Sequence, residues 1–337
     1  MGSRPERAEG RNSSLAWAEL LRLPALFTVP GDALAGAAAT GAHPNSRTLL
    51  AISSSLCLYE AGMALNDWAD REEDAKERPH RPLPSGRIRP AAALTSACAL
   101  TGVGLALAAR SGRPALAVAA PLAATIWSYD LALKHTPAGP AAMATARALD
   151  LLLGAAATTG HTREALPSAT LLGTHTLAVT AVSRQETKGG SPLTPLAALA
   201  TTALLSRLLT HRPNRRPADP RDALPSAAHG VPDTHPDVLA SATGRRRGRW
   251  SGPPRPTADA LSTTLAAAYA ATATRPYFHA TLNPSPPLTQ RAVVGGIRAT
   301  IPLQAALTAR SGAVLTALFV AGLAPLGRRF GRKVSVT

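Results

Sequence analysis

The sequence predicts an all-α fold, a polytopic transmembrane bundle of about nine helices, on three observations. Hydrophobic residues are 45% of the 337, and they gather into Ala, Leu, Val and Thr runs near the roughly 20 residues that cross a bilayer. Short charged loops separate the runs. The mean hydropathy is only +0.03 because a Pro/Arg-rich stretch at 211–256 pulls the average down. Basic residues also divide unequally between alternate loops, as the positive-inside rule requires of multi-pass proteins.

Taken in order, residues 1–16 form a polar N-terminal tail, and a transmembrane core occupies 17–210. Its candidate spans are 17–40, 47–65, 91–110, 114–131, 139–160, 167–183 and 191–210. Several are rich in Ala, Gly and Thr, which lets neighbouring helices approach closely. The first span follows a polar tail and is too long for the core of a cleavable signal peptide. The stretch 211–256, with Arg245, Arg246 and Arg247 among many prolines, has few apolar residues to bury and reads as a disordered insertion. The C-terminal helices fill 257–327, with candidate spans at 258–275, 288–308 and 312–327, and a basic tail closes the chain at 328–337. If 258–275 crosses the membrane, there are ten spans and the tail with Arg328, Arg329, Arg332 and Lys333 returns to the cytoplasm. If it lies in the interface, there are nine and the tail is outside; nine is the preferred count.

A net charge of +16 raises the question of nucleic acid. The basic residues are not interleaved with aromatics and sit in loops between apolar runs, so topology explains them and no nucleic-acid partner is expected. The 66–89 loop holds Arg71, Lys76, Arg78, Arg81, Arg87 and Arg89, against Arg47 and the pair Arg110 and Arg113 in turns of opposite parity. This places the 66–89 loop in the cytoplasm, with Lys134, Arg184 and Lys188 on the same side. Cys57 and Cys98 lie in predicted spans without metal-site or disulfide spacing.

Function concentrates in the text Asn66-Asp67-Trp68-Ala69-Asp70-Arg71-Glu72-Glu73-Asp74 and the following Arg78-Pro79-His80-Arg81-Pro82-Leu83-Pro84-Ser85-Gly86-Arg87-Ile88. Asp70 and Asp74 are four residues apart, so on a helix end they share a face, with Asn66 one turn back. That set of oxygens at the mouth of an apolar segment suits Mg²⁺, which takes few protein ligands and fills its octahedron with water and phosphate. The rival reading is a solvated loop of salt bridges. Asp150, deep in a predicted span, is either functional or paired with Arg147. His80, His135 and His175 read as structural or loop residues.

These residues resemble the first aspartate-rich motif and adjoining loop of the UbiA superfamily of intramembrane prenyltransferases. Tyr129-Asp130-Leu131-Ala132-Leu133-Lys134 resembles the family's Tyr/Lys motif after its fourth helix, and Arg147 to Gly154 resembles its fifth helix. The second acidic motif departs from the pattern: in Ser183-Arg184-Gln185-Glu186-Thr187-Lys188-Gly189-Gly190 only Glu186 keeps a charge at the acidic positions. With Arg291 to Ile297 and Ile301 to Gln304, this text is similar to the EboC-like branch.

The resemblance implies a UbiA-like bundle that uses Mg²⁺ to transfer a prenyl group from an isoprenoid diphosphate to a lipophilic acceptor. It implies Asn66, Asp70, Asp74 and Glu186 as metal ligands and Asp70, Asp74 and Lys134 as the catalytic set. Asn66, Arg81, Lys134, Arg184 and Tyr129 would bind the diphosphate, with Tyr129 facing the allylic cation through its ring or belonging to an interfacial aromatic belt. Glu186 otherwise pairs with Arg184 or Lys188. The alternative function, favoured by the degenerate second motif, is a non-catalytic membrane protein that binds a prenyl or other lipid ligand and assists metabolite transport.

Overall fold

The computed structural model describes residues 15–21, 27–186, 190–211 and 256–334, and over them the fold is all-helical. A short helix at 15–20 (α1) and Val29–Ala39 (α2) occupy the first expected span. They are followed by α3 (Ser46–Ala69), α4 (Arg71–Glu77), α5 (Pro90–Ser111), α6 (Arg113–Ser128) and α7 (Gly139–Thr159). The second half contributes α8 (Leu166–Ser183), α9 (Leu193–Thr210), α10 (Pro256–Leu282), α11 (Pro286–Arg310) and α12 (Val314–Val334). Among the described residues, seven helical stretches are long and apolar enough to cross a membrane. Nearly all of the 211–256 insertion and of the N-terminal tail lies outside the described residues. The basic residues expected as a tail continue α12 to Val334.

Proline marks the helix starts. It stands in the first turn of α2, α5, α6, α7, α8 and α11, where its missing N–H costs no hydrogen bond and its fixed φ already suits a helix. The start of α3 is capped instead by Asn45, whose side chain accepts from the backbone of Arg47 and Thr48 while Thr48 returns a bond to Asn45. Asn45 also donates to the Thr158 carbonyl at 3.3 Å, and the Thr48 and Thr158 hydroxyls meet at 2.8 Å, so the cap ties α3 to the end of α7.

Small residues set the helix spacing, as expected of a bundle in lipid. Where α2 crosses α7, a methyl at Gly36 would lie 2.0 Å from the Leu151 carbonyl oxygen, and one at Gly154 would lie 2.2 Å from that of Ala33. Neither position has room for a side chain.

In the C-terminal group, α10 is longer than the 258–275 stretch expected. It packs lengthwise between α9 and α11 and buries Tyr269, Ala273, Tyr277 and Ala280. The Gly190 N–H, just before α9, donates to the Pro284 carbonyl, just after α10, at 3.3 Å. The end of α10 therefore lies level with the start of α9, so α10 runs the height of the bundle and does not lie across one end. That path fits the ten-span alternative, which counts this helix as a pass, although α10 is not among the helices apolar enough to cross a membrane by composition. The aliphatic signal of α10 is weak because its buried face is built mainly from alanine and tyrosine, with Ser262 and a single leucine, Leu265.

Candidate active site

One end of the bundle gathers the α3–α4 junction, the turn after α6 and the turn after α8. Helix α3 does not stop before the acidic text: it runs to Ala69, leaving Asn66 and Asp67 in its last turn. Asp70 caps it, its N–H bonded to the Asn66 carbonyl at 3.0 Å, and α4 resumes with the Asp74 N–H on the Asp70 carbonyl at 2.8 Å. The four-residue spacing from Asp70 to Asp74 is therefore helical in fact.

The turn after α6 has a feature no local pattern announced. Tyr129–Leu133 form a π-helical turn, with the Lys134 N–H bonded to the Tyr129 carbonyl at 2.9 Å. The wider turn buries Asp130, which accepts from Asn66 Nδ2 at 3.2 Å, and brings Lys134 over α3 to form an ion pair with Asp70. His135 Nε2 lies 3.8 Å from the same Asp70 oxygen. Tyr129 is in electrostatic range of Asp70, Asp130 and Arg184. Asp70, Glu73, Asp130, Lys134, His135 and Trp68 line a cleft of about 380 Å³.

A second cluster lies beside this cleft. Asp74 is 3% exposed and receives Arg81 at 2.7 Å and Arg78 at 3.5 Å; Arg81 also reaches Asp67 at 3.6 Å. Arg81, expected to bind diphosphate, thus already serves two buried carboxylates. Arg184 donates to the carbonyls of Thr136 at 2.5 Å and Lys134 at 3.2 Å, fastening the turn that carries Lys134. Glu186 is half-buried, and burial raises its carboxyl above the usual range while Arg78 partly offsets the rise. Ser183, at the next acidic position of the family pattern, spends its hydroxyl on the Thr180 carbonyl at 2.9 Å. Lys188 and Gly189 lie outside the described residues.

The eight expected site residues therefore converge on one end but divide into two groups. Asp70 and Lys134 line the cleft, with Asn66 bonded to Asp130 of its wall and Tyr129 and Arg184 close by, and Asp74, Arg81 and Glu186 gather around Arg78. Sequence reasoning missed Glu73, which α4 sets beside Asp70, and Asp130 and His135, which the π turn brings to α3. It also missed a polar network deeper in the bundle: Arg147 pairs with Asp32 at 3.1 Å, Gln304 Nε2 donates to Asp32 at 2.6 Å, and Ser55 bonds Asp150. Ser55 precedes Asn66 by eleven residues, which is about 16 Å along α3. The alternative of an Arg147–Asp150 pair gives way to Asp32, which α2 brings against Arg147. Glu60 is buried with no hydrogen-bond partner for either carboxylate oxygen. His175 bonds Tyr269 at 3.2 Å and the Gly296 carbonyl at 3.1 Å, a structural role.

Fold and site together define a polytopic helical membrane protein with a carboxylate-and-lysine cleft at one membrane face. The model of the UbiA prenyltransferase family matches residues 25–211, more than half of the chain, and the protein belongs to that family. A digeranylgeranylglyceryl phosphate synthase of Methanopyrus kandleri is 37% identical over 127 residues, which are 36% of this chain and 45% of the relative. The chain thus spans less than half the length of that curated relative. The fold is similar to a solved structure described as digeranylgeranylglyceryl phosphate synthase, with a TM-score of 0.57 and 17% identity over 90% of this chain and 99% of the other. It is also similar to a UbiA homologue from Archaeoglobus fulgidus bound to DMAPP and Mg²⁺, with a TM-score of 0.54 and 16% identity over 89% of this chain and 98% of the other.

Proposed function

We propose that this protein is a Mg²⁺-dependent intramembrane prenyltransferase that moves a prenyl group from an isoprenoid diphosphate to a lipophilic acceptor. The observation that carries the reading is the cleft itself: Asp70 and Lys134, held together by the π turn, stand beside Asn66 and Tyr129 where the apolar bundle opens. The donor set is oxygen-rich, and the buried Lys134 ammonium makes no hydrogen bond beyond its ion pair with Asp70. Both features fit a site for a divalent cation and a diphosphate.

Asp70, with Asn66 one turn back, would hold Mg²⁺ in the cleft, and Asp74 and Glu186 would join it only by releasing Arg81 and Arg78; the ion when bound neutralises the diphosphate and aids its departure. Lys134 supplies a mobile positive charge to the phosphate oxygens. Arg184 positions Lys134 through the carbonyls it grips. Arg81 contributes by holding Asp67 and Asp74 in place, and it reaches phosphate only if Asp74 turns away. Tyr129, in electrostatic range of Asp70 beside the cleft, would turn its ring to an allylic cation formed there, and the bundle would exclude water from it. The relatives' name points to a lipid acceptor built on glyceryl phosphate. The Ser183-Arg184-Gln185-Glu186 text supports placement in the EboC-like branch, and the basic bias of the motif end supports a cytoplasmic orientation.

Ser183, with its hydroxyl turned back on its own helix, favours a second reading, in which the protein binds a prenyl or lipid ligand without turnover and assists transport. Mass spectrometry separates the two. Purified protein incubated with Mg²⁺, a panel of prenyl diphosphates and lipid extract should yield a prenylated lipid and free diphosphate. Saturable diphosphate binding with no product would establish the second reading.

A further inference from the structure

Arg147 is a guanidinium deep in the bundle with a single partner. It follows Gly139, the first residue of α7, by about 12 Å along the helix. Gly139 abuts the motif end, where a methyl on it would lie 3.0 Å from the Lys134 carbonyl oxygen. Asp32 meets one terminal nitrogen of Arg147 at 3.1 Å, and among the described residues Arg147 makes no other ion pair or hydrogen bond. A guanidinium carries five N–H donors, so most of them stand unused. Leaving donors dry and unpaired inside a membrane protein is costly, yet 16% of the Arg147 side chain is accessible while its partner Asp32 is fully buried. Space therefore reaches the guanidinium. Met143, one turn nearer the cleft on α7, and Tyr59, between Ser55 and Asn66 on α3, are likewise only part-buried.

We propose that Arg147 is a head-group site for the acceptor, one turned to an uncharged, hydroxyl-bearing group. The free N–H groups suit an oxygen. The charge behind them is already spent, because Asp32 neutralises it and Asp150 adds a second carboxylate in electrostatic range. Gln304 Nε2 holds Asp32 from the other side at 2.6 Å, so the carboxylate cannot swing off to admit an anion in its place. A phosphate would meet two negative charges and one committed arginine. The inference rests on the prenyl-transfer reading in naming the occupant as the acceptor, and it narrows that reading: the relatives' name carries a glyceryl phosphate, whereas these residues suit a hydroxyl head group without the phosphate.

The test uses the full-length protein in detergent and two probes, a short-chain alkylglycerol ether and its phosphate ester. Calorimetric titration without prenyl diphosphate or Mg²⁺ should show the wild type binding the uncharged ether about tenfold or more tightly than the ester, since like charges brought together in a binding site are strongly unfavourable. Arg147→Lys keeps a positive charge for Asp32 but removes the planar fork. In protein that melts near the wild type it should weaken the ether about tenfold, the loss of one hydrogen bond to a charged group. Asp32→Asn releases the arginine's charge and should tighten the phosphate ester, a gain that structural damage does not produce. Equal or tighter binding of the ester by the wild type, unchanged ether affinity in folded Arg147→Lys, or no gain for the ester in Asp32→Asn would each overturn the proposal. Failure of the catalytic reading shows differently, as wild-type protein that binds the ether through Arg147 and yet transfers no prenyl group to any lipid when Mg²⁺ and prenyl diphosphates are added.

Discussion

Asp74 holds two arginines, and Asp70 one lysine, so the paired carboxylates of the motif carry different burdens. Asp70→Asn and Asp74→Asn should both abolish prenyl transfer, measured as labelled product from a prenyl diphosphate, and EDTA should mimic them with reversal by excess Mg²⁺. Their stabilities should differ. Asp74→Asn strips Arg81 of its 2.7 Å partner beside the buried Asp67, and breaking such a buried pair costs about 3 kcal/mol. Asp70 is more open to solvent, so Asp70→Asn should melt closer to the wild type in a detergent thermal scan. Glu186 gives a pH signature. Its folded carboxyl is raised by burial, with Arg78 opposing, so its contribution to stability is full below the ordinary carboxylate range and lost as pH rises through the raised value. Metal-free Glu186→Gln protein should lack that part of the decline in a melting series taken upward from acidic pH. An equal decline in both proteins would show that Glu186 is not the group responsible.

At the scale of the helix, the glycines separate into those that set distances and those that do not. A methyl at Gly154 collides with the α2 backbone, whereas Gly102 and Gly322 have nothing within 4 Å. Gly154→Ala should therefore cost about 1–3 kcal/mol or more by overpacking, and Gly102→Ala should gain up to about 1 kcal/mol from helix propensity. Thermal unfolding of the two variants in one detergent reads the difference, and similar shifts would mean that α2 and α7 yield readily. Most element boundaries were legible because proline opens the helices and hydropathy fills them. The π turn at Tyr129–Leu133 was not, since a single added residue per turn leaves no trace in composition. The length of α10 was hidden for another reason: Tyr269 and Tyr277 are buried against neighbouring helices, and a hydropathy scale counts them as weak candidates for lipid.

Across the whole molecule, the path of α10 decides which loops share a side. If it crosses, single cysteines at Ser85 and Ser285, in a background without Cys57 and Cys98, react with an impermeant maleimide from the same side of the membrane, and Ser311→Cys reacts from the other. The basic bias of the 66–89 loop predicts Ser85 inside, so labelling there should require opened or inverted membranes. Ser285 labelled from the side opposite to Ser85, with Ser311 labelled from the Ser85 side, would mean that α10 lies in the interface and that nine passes are right.

The sequence by itself determined the helical membrane class, the positions of most spans, the acidic motif and its resemblance to a prenyltransferase family, because hydropathy, proline placement and a four-residue spacing are local properties. Only the tertiary structure decided which charge meets which. Lys134 reaches Asp70 across 64 residues of chain, and Arg147 finds Asp32 rather than its neighbour Asp150. Arg81 turns to Asp74 and away from the cleft, while Glu73 and His135 close on Asp70. Such pairings depend on how helices pack and on one π turn that rotates a helix end, and neither is encoded in the spacing of residues along a single segment.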